Sequence, residues 1–153
     1  MNRDAAKELF TNFLKVGDYR ITPERFVILD AVLSSKGHFD ADQLYLTMKA
    51  AGQKVSRATV YNTLELLLES GFISKYRFAD NHSRYEKVFG RPHHDHLICL
   101  ECGEITEFVS DKIALVNSEI CNEKRFKAQS ATFQIFGTCA KCQAGGSGAS
   151  GAS

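Results

Sequence analysis

The sequence predicts an α+β fold in two parts, a helical head closed by a β-hairpin and then a small domain in the order β-β-α-β. Three observations carry this. Amphipathic helical stretches with recognisable starts and stops fill the chain up to about residue 69. Apolar–polar alternation takes over from Phe72. A Gly90-Arg91-Pro92 break then separates that hairpin from a second set of strands and one helix, which lead into a Cys-x-x-Cys pair.

Residues 4–16 place Leu9, Phe10, Phe13, Leu14 and Val16 on one helical face, and Gly17 stops the helix. Thr22 caps a second helix with Pro23 at its first position. Its interior holds Phe26, Val27, Leu29, Ala31, Val32 and Leu33, and the pattern runs out at Gly37. Asp40 opens a third helix, with Gln43 three residues on as in a capping box. That helix runs to about Ala51 and stops at Gly52. Ser56 caps a fourth, from about Arg57 to Glu69, and Gly71 ends it. Only Gly52-Gln53-Lys54-Val55 separates the third helix from the fourth. This is the spacing of a helix-turn-helix, a pattern shared with many helical hairpins. Phe72 to Phe78 alternates apolar and polar, Tyr85 to Phe89 does so more loosely, and Asp80-Asn81-His82-Ser83 supplies turn chemistry between them. A helix-turn-helix followed by a hairpin is the winged-helix layout.

In the second part, His94 to Leu100 and Ile105 to Val109 are strands, Asp111 to about Glu123 is a helix, and Ala131 to Phe136 is a last strand running into Gly137-Thr138-Cys139. The expected boundaries are a winged-helix domain over 1–89, a hinge over 90–93 and a small α/β domain over 94–143. Residues 144–153, AGGSGASGAS, are too small to pack and form a flexible tail or an expression scar.

Composition narrows the classes. Of 153 residues, 44% are hydrophobic and 24% charged, the mix of a soluble globular protein rather than a disordered chain. No apolar stretch reaches the ~18 residues of a membrane span, and MNRDAAKELF lacks the apolar segment of a signal peptide. A cytoplasmic protein is expected, which argues against a disulfide framework. The net charge of +1 gives no sign of a nucleic-acid partner. Its distribution is more informative. Residues 1–87 carry 13 basic and 11 acidic residues (net +2), and residues 88–153 carry 6 and 7 (net −1). Lys54 and Arg57 flank the start of the fourth helix, and Lys75, Arg77, Arg84 and Lys87 lie in the hairpin. An ordinary solvated surface accounts for the same charges.

Four of the five cysteines form two identical pairs, Cys99-x-x-Cys102 and Cys139-x-x-Cys142. Each turn offers two thiolates along one edge of a tetrahedron. A Zn²⁺ ion accepts four such sulfurs and leaves no open position, so the role is structural. Two unrelated pairs of buried thiols are the bland alternative. A thioredoxin-type redox motif fits less well, since neither copy starts a helix in a βαβ unit. Cys121, beside Ile120, reads as a core residue.

The histidines cluster in Pro92-His93-His94-Asp95-His96. On a strand His94 and His96 share one face, and His93 and Asp95 the other. With Glu86 and Glu107 they make a nitrogen and oxygen donor set suited to Fe²⁺, Mn²⁺ or a second Zn²⁺. A metallo-hydrolase is the competing class, but Ile98-Cys99 stand where a His-x-His-x-Asp-His signature needs Asp-His. His38, taken alone, is most simply a surface residue.

These residues, taken in order, resemble the ferric uptake regulator family of metal-dependent repressors. The matching stretches are Arg20-Ile21-Thr22-Pro23-Glu24-Arg25, Ser56 to Leu64, Arg84-Tyr85-Glu86, His93 to Gly103, and Gly137 to Cys142. The resemblance implies a DNA-binding winged helix and a dimerisation domain, a homodimer on double-stranded operator DNA, and no catalytic residues. It implies one structural Zn²⁺ per chain at Cys99, Cys102, Cys139 and Cys142. It also implies a regulatory site made by His38, Glu86, His94, His96 and Glu107. Thr59 and Tyr61 would face the major groove, with Arg57 and Asn62 beside them. Asn62 stands where the family often has Arg. Arg20, helped by Lys15, would approach a minor groove. A further family site on the dimer domain is crippled here, since Ala114, Ser130 and Ala131 replace its carboxylate and histidine positions. Glu86 with Glu107 resembles the iron-responsive branch, with Fe²⁺ as regulator and Mn²⁺ or Zn²⁺ able to substitute. Peroxide-sensing, zinc-responsive and manganese-responsive members are the alternatives.

Overall fold

The computed structural model describes residues 2–77, 82–129 and 131–145. The chain divides into two compact units, Met1–Pro92 and His93–Ser153.

Unit 1 contains helices α1 (Arg3–Val16) and α2 (Pro23–Ser34), strand β1 (His38–Phe39), helices α3 (Ala41–Ala50) and α4 (Arg57–Glu69), and strands β2 (Ile73–Arg77) and β3 (Ser83–Lys87). The helix starts follow from their caps. Asn2 Oδ1 accepts from the Asp4 amide at 3.0 Å, Asp40 Oδ1 from Gln43 at 2.6 Å and Ser56 Oγ from Thr59 at 3.1 Å. Thr22 makes no such bond, and Pro23 supplies the helical φ instead. At the turn between α3 and α4, Gly52 adopts φ +80°, a conformation that costs a residue with a Cβ dearly. The same-face pattern buries Phe10, Leu14, Ile28, Leu29, Val32, Val60, Leu64 and Leu67 completely. Each of these large side chains stabilises the unit by roughly 1.5–3 kcal/mol on leaving water. Strands β2 and β3 form the antiparallel wing, and β1 adds to the far edge of β3 to give the order β1-β3-β2. Strand β1, only two residues long, was not anticipated from the sequence. Of the expected wing turn, Asp80 and Asn81 lie outside the described residues, as does Phe78.

Unit 2 contains strands β4 (Asp95–Cys99) and β5 (Ile105–Phe108), helix α5 (Asp111–Glu123), strand β6 (Gln134–Gly137) and helix α6 (Ala140–Gly145). The sheet order is β5-β4-β6, with β5 antiparallel and β6 parallel to β4. A parallel pair needs a long crossover, and the segment through α5 supplies it. The last strand starts later than Ala131, at Gln134, because pairing with β4 begins opposite His96. None of α5 is buried. Cys121, expected in a core, is only half-buried there. Helix α6 was not anticipated, and the part of the Gly/Ser tail beyond residue 145 lies outside the described residues.

Candidate metal centres and nucleic-acid face

The cysteine quartet belongs wholly to unit 2. Cys99 ends β4, and Cys102 follows in a turn closed at Gly103 (φ +74°), whose amide donates to the Cys99 carbonyl. The β4–β6 register sets Cys99 opposite Gly137, so the second turn, with Cys139 and the α6 residue Cys142, lies beside the first. The sulfurs of Cys99 and Cys142 are 3.9 Å apart, those of Cys102 and Cys139 are 3.7 Å apart, and all four lie within 4.8 Å of one another. A tetrahedron with metal–sulfur bonds of ~2.3 Å has edges of about 3.8 Å, so the four thiols fit a zinc ion. Backbone amides of Cys102 and Cys139 hold the Cys99 thiol down to about 6, and the Cys139 amide reaches its sulfur at 3.3 Å. Shared hydrogen bonds from Cys139 and then Cys102 push the Cys142 thiol up. The metal-free quartet therefore holds one thiolate stabilised by its neighbours, and a metal entering it displaces protons from the others.

Histidine and carboxylate groups gather once in each unit. In unit 2, His96 lies on β4 directly opposite Glu107 on β5 and is 2% exposed. His94 immediately precedes β4. Its ring lies 4.8 Å from that of His96, and its Nε2 is 3.8 Å from Glu107 Oε1. The ligand atoms of His94, His96 and Glu107 all lie within 4.8 Å of one another. His93 instead pairs with the buried Asp95, Nε2 to Oδ1 at 3.2 Å. Ala114 and Ala131 are exposed and offer no donor, and Ser130 is outside the described residues.

In unit 1, β1 exists to bring His38 to Glu86. The two are direct cross-strand partners, with Nε2 3.7 Å from Oε2. Glu86 is 1% exposed. The Tyr76 hydroxyl donates to its Oε2 at 3.1 Å, and Arg91 donates to its Oε1 at 2.6 Å. His38, read alone in the sequence as a surface residue, is thus three-quarters or more shielded and held against a carboxylate. Tyr76 and Arg91 escaped sequence reasoning. The contact of Arg91 with Glu86 depends on how the chain turns after β3, which no spacing rule encodes.

Helix α4 buries Val60, Thr63, Leu64, Leu66 and Leu67 and leaves Arg57, Tyr61 and Asn62 exposed. This follows from the 3.6-residue period. Thr59 is half-buried, with its Oγ1 2.8 Å from Ser56 Oγ within the cap. Arg57 is engaged inside the chain, bonded to Asp42 of α3 at 2.5 Å and stacked over the Tyr45 ring at 5.0 Å. Desolvation and then the Asp42 carboxylate raise the Tyr61 phenol above its ordinary range, so the hydroxyl stays protonated. Lys15, in the last turn of α1, and Arg20, in the loop before α2, are both exposed.

A winged helix followed by a small α/β unit with a four-cysteine cluster defines a metal-binding regulator built on a helix-turn-helix. The Ferric uptake regulator family matches residues 17–136, and the chain belongs to that family. The Ferric uptake regulation protein of Campylobacter upsaliensis is 36% identical over 141 residues, spanning 91% of this chain and 90% of the relative. That of Bacillus subtilis is 34% identical over 132 residues, spanning 84% and 89%. Among solved structures, the Helicobacter pylori ferric uptake regulator, described as having three functional metal binding sites, aligns with a TM-score of 0.74 at 25% identity over 94% of this chain and 95% of that one. A Pseudomonas aeruginosa ferric uptake regulator with manganese aligns at 0.72 with 27% identity over 85% and 97%. The family is one of transcription regulators, which disposes of the metallo-hydrolase alternative. Among the described residues, no helix is long and apolar enough to cross a membrane.

Proposed function

We propose that this protein is a homodimeric, Fe²⁺-dependent repressor that binds operator DNA in front of iron uptake or homeostasis genes. One observation supports it above the others: each unit carries part of a nitrogen and oxygen ligand set. Unit 1 offers His38 and Glu86, and unit 2 offers His94, His96 and Glu107. An ion that takes ligands from both joins the reader to the dimer domain and favours the arrangement in which two α4 helices match two half-sites. It shifts that population only by its differential affinity for the joined state. The second metal, Zn²⁺ at Cys99, Cys102, Cys139 and Cys142, supplies structure and no chemistry.

The dimer is supported by what unit 2 leaves uncovered. On α5, Leu115, Val116 and Ile120 are more than half exposed, and Phe133, Ile135 and Phe136 around β6 are nearly so. Large apolar side chains left exposed in such number on one small unit point to an interface. On DNA, Tyr61 and Thr59 face the major groove, with the Tyr61 ring suited to a thymine methyl. Arg57 and Asn62 lie beside them, and Arg20 and Lys15 position the backbone.

A gel-shift with a palindromic AT-rich operator, with and without Fe²⁺, tests the proposal. Metal-stimulated binding is expected, and no binding to any promoter DNA in either condition would sink it. Mass spectrometry after iron and peroxide separates the branches. Unmodified His38 and His94 match an iron sensor, and oxidation at either moves the protein to the peroxide-sensing branch.

A further inference from the structure

We propose that Arg91 is a resident cation of the regulatory site: in the metal-free protein its guanidinium occupies the Glu86 carboxylate, and this competition sets the metal concentration at which the site fills. The inference rests on the proposal that Glu86 is a regulatory metal ligand. Glu86 is 1% exposed, and a carboxylate that far from water persists ionised only beside compensating charge or donors. Arg91 meets that need at Oε1, at a length typical of a strong charge-assisted bond, while Tyr76 donates to Oε2. A guanidinium stays charged throughout the physiological range, so a change of pH does not clear it from the carboxylate.

A divalent cation at Glu86 then faces a guanidinium already bonded to the same carboxylate, 2.6 Å from its Oε1. Two positive groups sharing one carboxylate away from water repel strongly. Either the ion or Arg91 holds the carboxylate, and each lowers the occupancy of the other by the same factor. The local backbone allows the exchange. Gly90, at φ +73°, and the Arg91 amide, donating to the Val88 carbonyl at 3.0 Å, hold the turn after β3. The Arg91 side chain is about one-third exposed, so it can swing into solvent while its backbone stays in place. Tyr76 and His38 are left on Oε2 when it does.

The test uses the full-length, zinc-loaded protein and Mn²⁺ as a redox-stable probe, with affinity read by competition against a chelating dye. Arg91→Gln keeps reach and a donor but removes the charge, and it is expected to bind Mn²⁺ at least about tenfold more tightly. Arg91→Lys keeps the charge without the planar fork and is expected to fall between the parent and Arg91→Gln. If Arg91→Gln does not fold, the gain in Arg91→Lys decides. Without metal, Arg91→Gln should melt below the parent, and its Mn²⁺-induced rise in Tm should be larger. Unchanged or weaker Mn²⁺ binding in a folded Arg91 variant overturns the inference. Glu86→Gln keeps the two failures apart. If it binds Mn²⁺ as the parent does, the ligand assignment itself fails. If it loses Mn²⁺ while Arg91→Gln gains nothing, only the role of Arg91 falls.

Discussion

Unit 1 closes its core with side chains from all four helices, all three strands and Phe72, and every residue of that core is at most 8% exposed. In unit 2 the buried residues among those described are Asp95, His96, Ile98 and Cys99, all on β4, and two of them are charged or polar. Helix α5 contributes nothing. The difference teaches how each is held. Unit 1 is held by apolar burial within its own chain. Unit 2 is too small and too open for that, and the proposed zinc and the proposed second copy would supply what its own core lacks.

The strongest way to break this contrast is to remove the zinc. Cys102→Ser, or a strong chelator, is expected to unfold unit 2 and dissociate the dimer while unit 1 keeps its helical signal. Zinc contributes on the order of 10–16 kcal/mol in small domains that depend on it. Zinc content and sedimentation velocity measure this, and a stable zinc-loaded dimer in Cys102→Ser would contradict the four-cysteine assignment. Next in size, Leu64→Ala opens a cavity in the core of unit 1. It should cost about 2–5 kcal/mol of that unit's stability and leave the zinc in place. Chemical denaturation followed by helix signal gives the number. Leu115→Glu puts a charge on the uncovered face of α5. It should weaken dimerisation by about 2 kcal/mol or more at unchanged zinc content, and a dimer of parental affinity would place the interface elsewhere. His96→Ala should change folding least, with zinc retained, yet abolish metal-stimulated DNA binding. Normal activation in that variant would remove His96 from the regulatory site.

Much of this was legible in the sequence, and what was not has definite causes. The helices of unit 1 followed from the periodicity of residues such as Phe10, Leu14, Leu64 and Leu67, and their starts from Asp40 and Ser56. The cysteine spacing singled out the four thiols that the fold gathers. Strand β1 was not legible, because two residues are too few to show alternation and only the β3 partner makes His38-Phe39 a strand. The exposure of α5 was not legible either. Its Leu115, Val116 and Ile120 look like any core-facing stripe, since periodicity shows that a face is apolar but not whether its own chain covers it. The misplacement of Cys121 in a core has the same cause. The links of Arg57 to Asp42 and of Arg91 to Glu86 arise from side-chain reach across turns, which composition and spacing do not specify.

The parallel pairing of β6 with β4 has one more consequence. It brings Cys99 and Cys139 together across a long excursion that carries β5, α5 and β6. A metal gripping both pairs turns that excursion into a loop tied at its neck. After α5 the excursion offers Arg125 and Lys127, both exposed and outside any helix or strand. With the proposed metal in place, a tryptic cut there severs the polypeptide without releasing either fragment, because an inorganic knot holds the neck. The nicked protein should travel as one particle and come apart only when a chelator unties it.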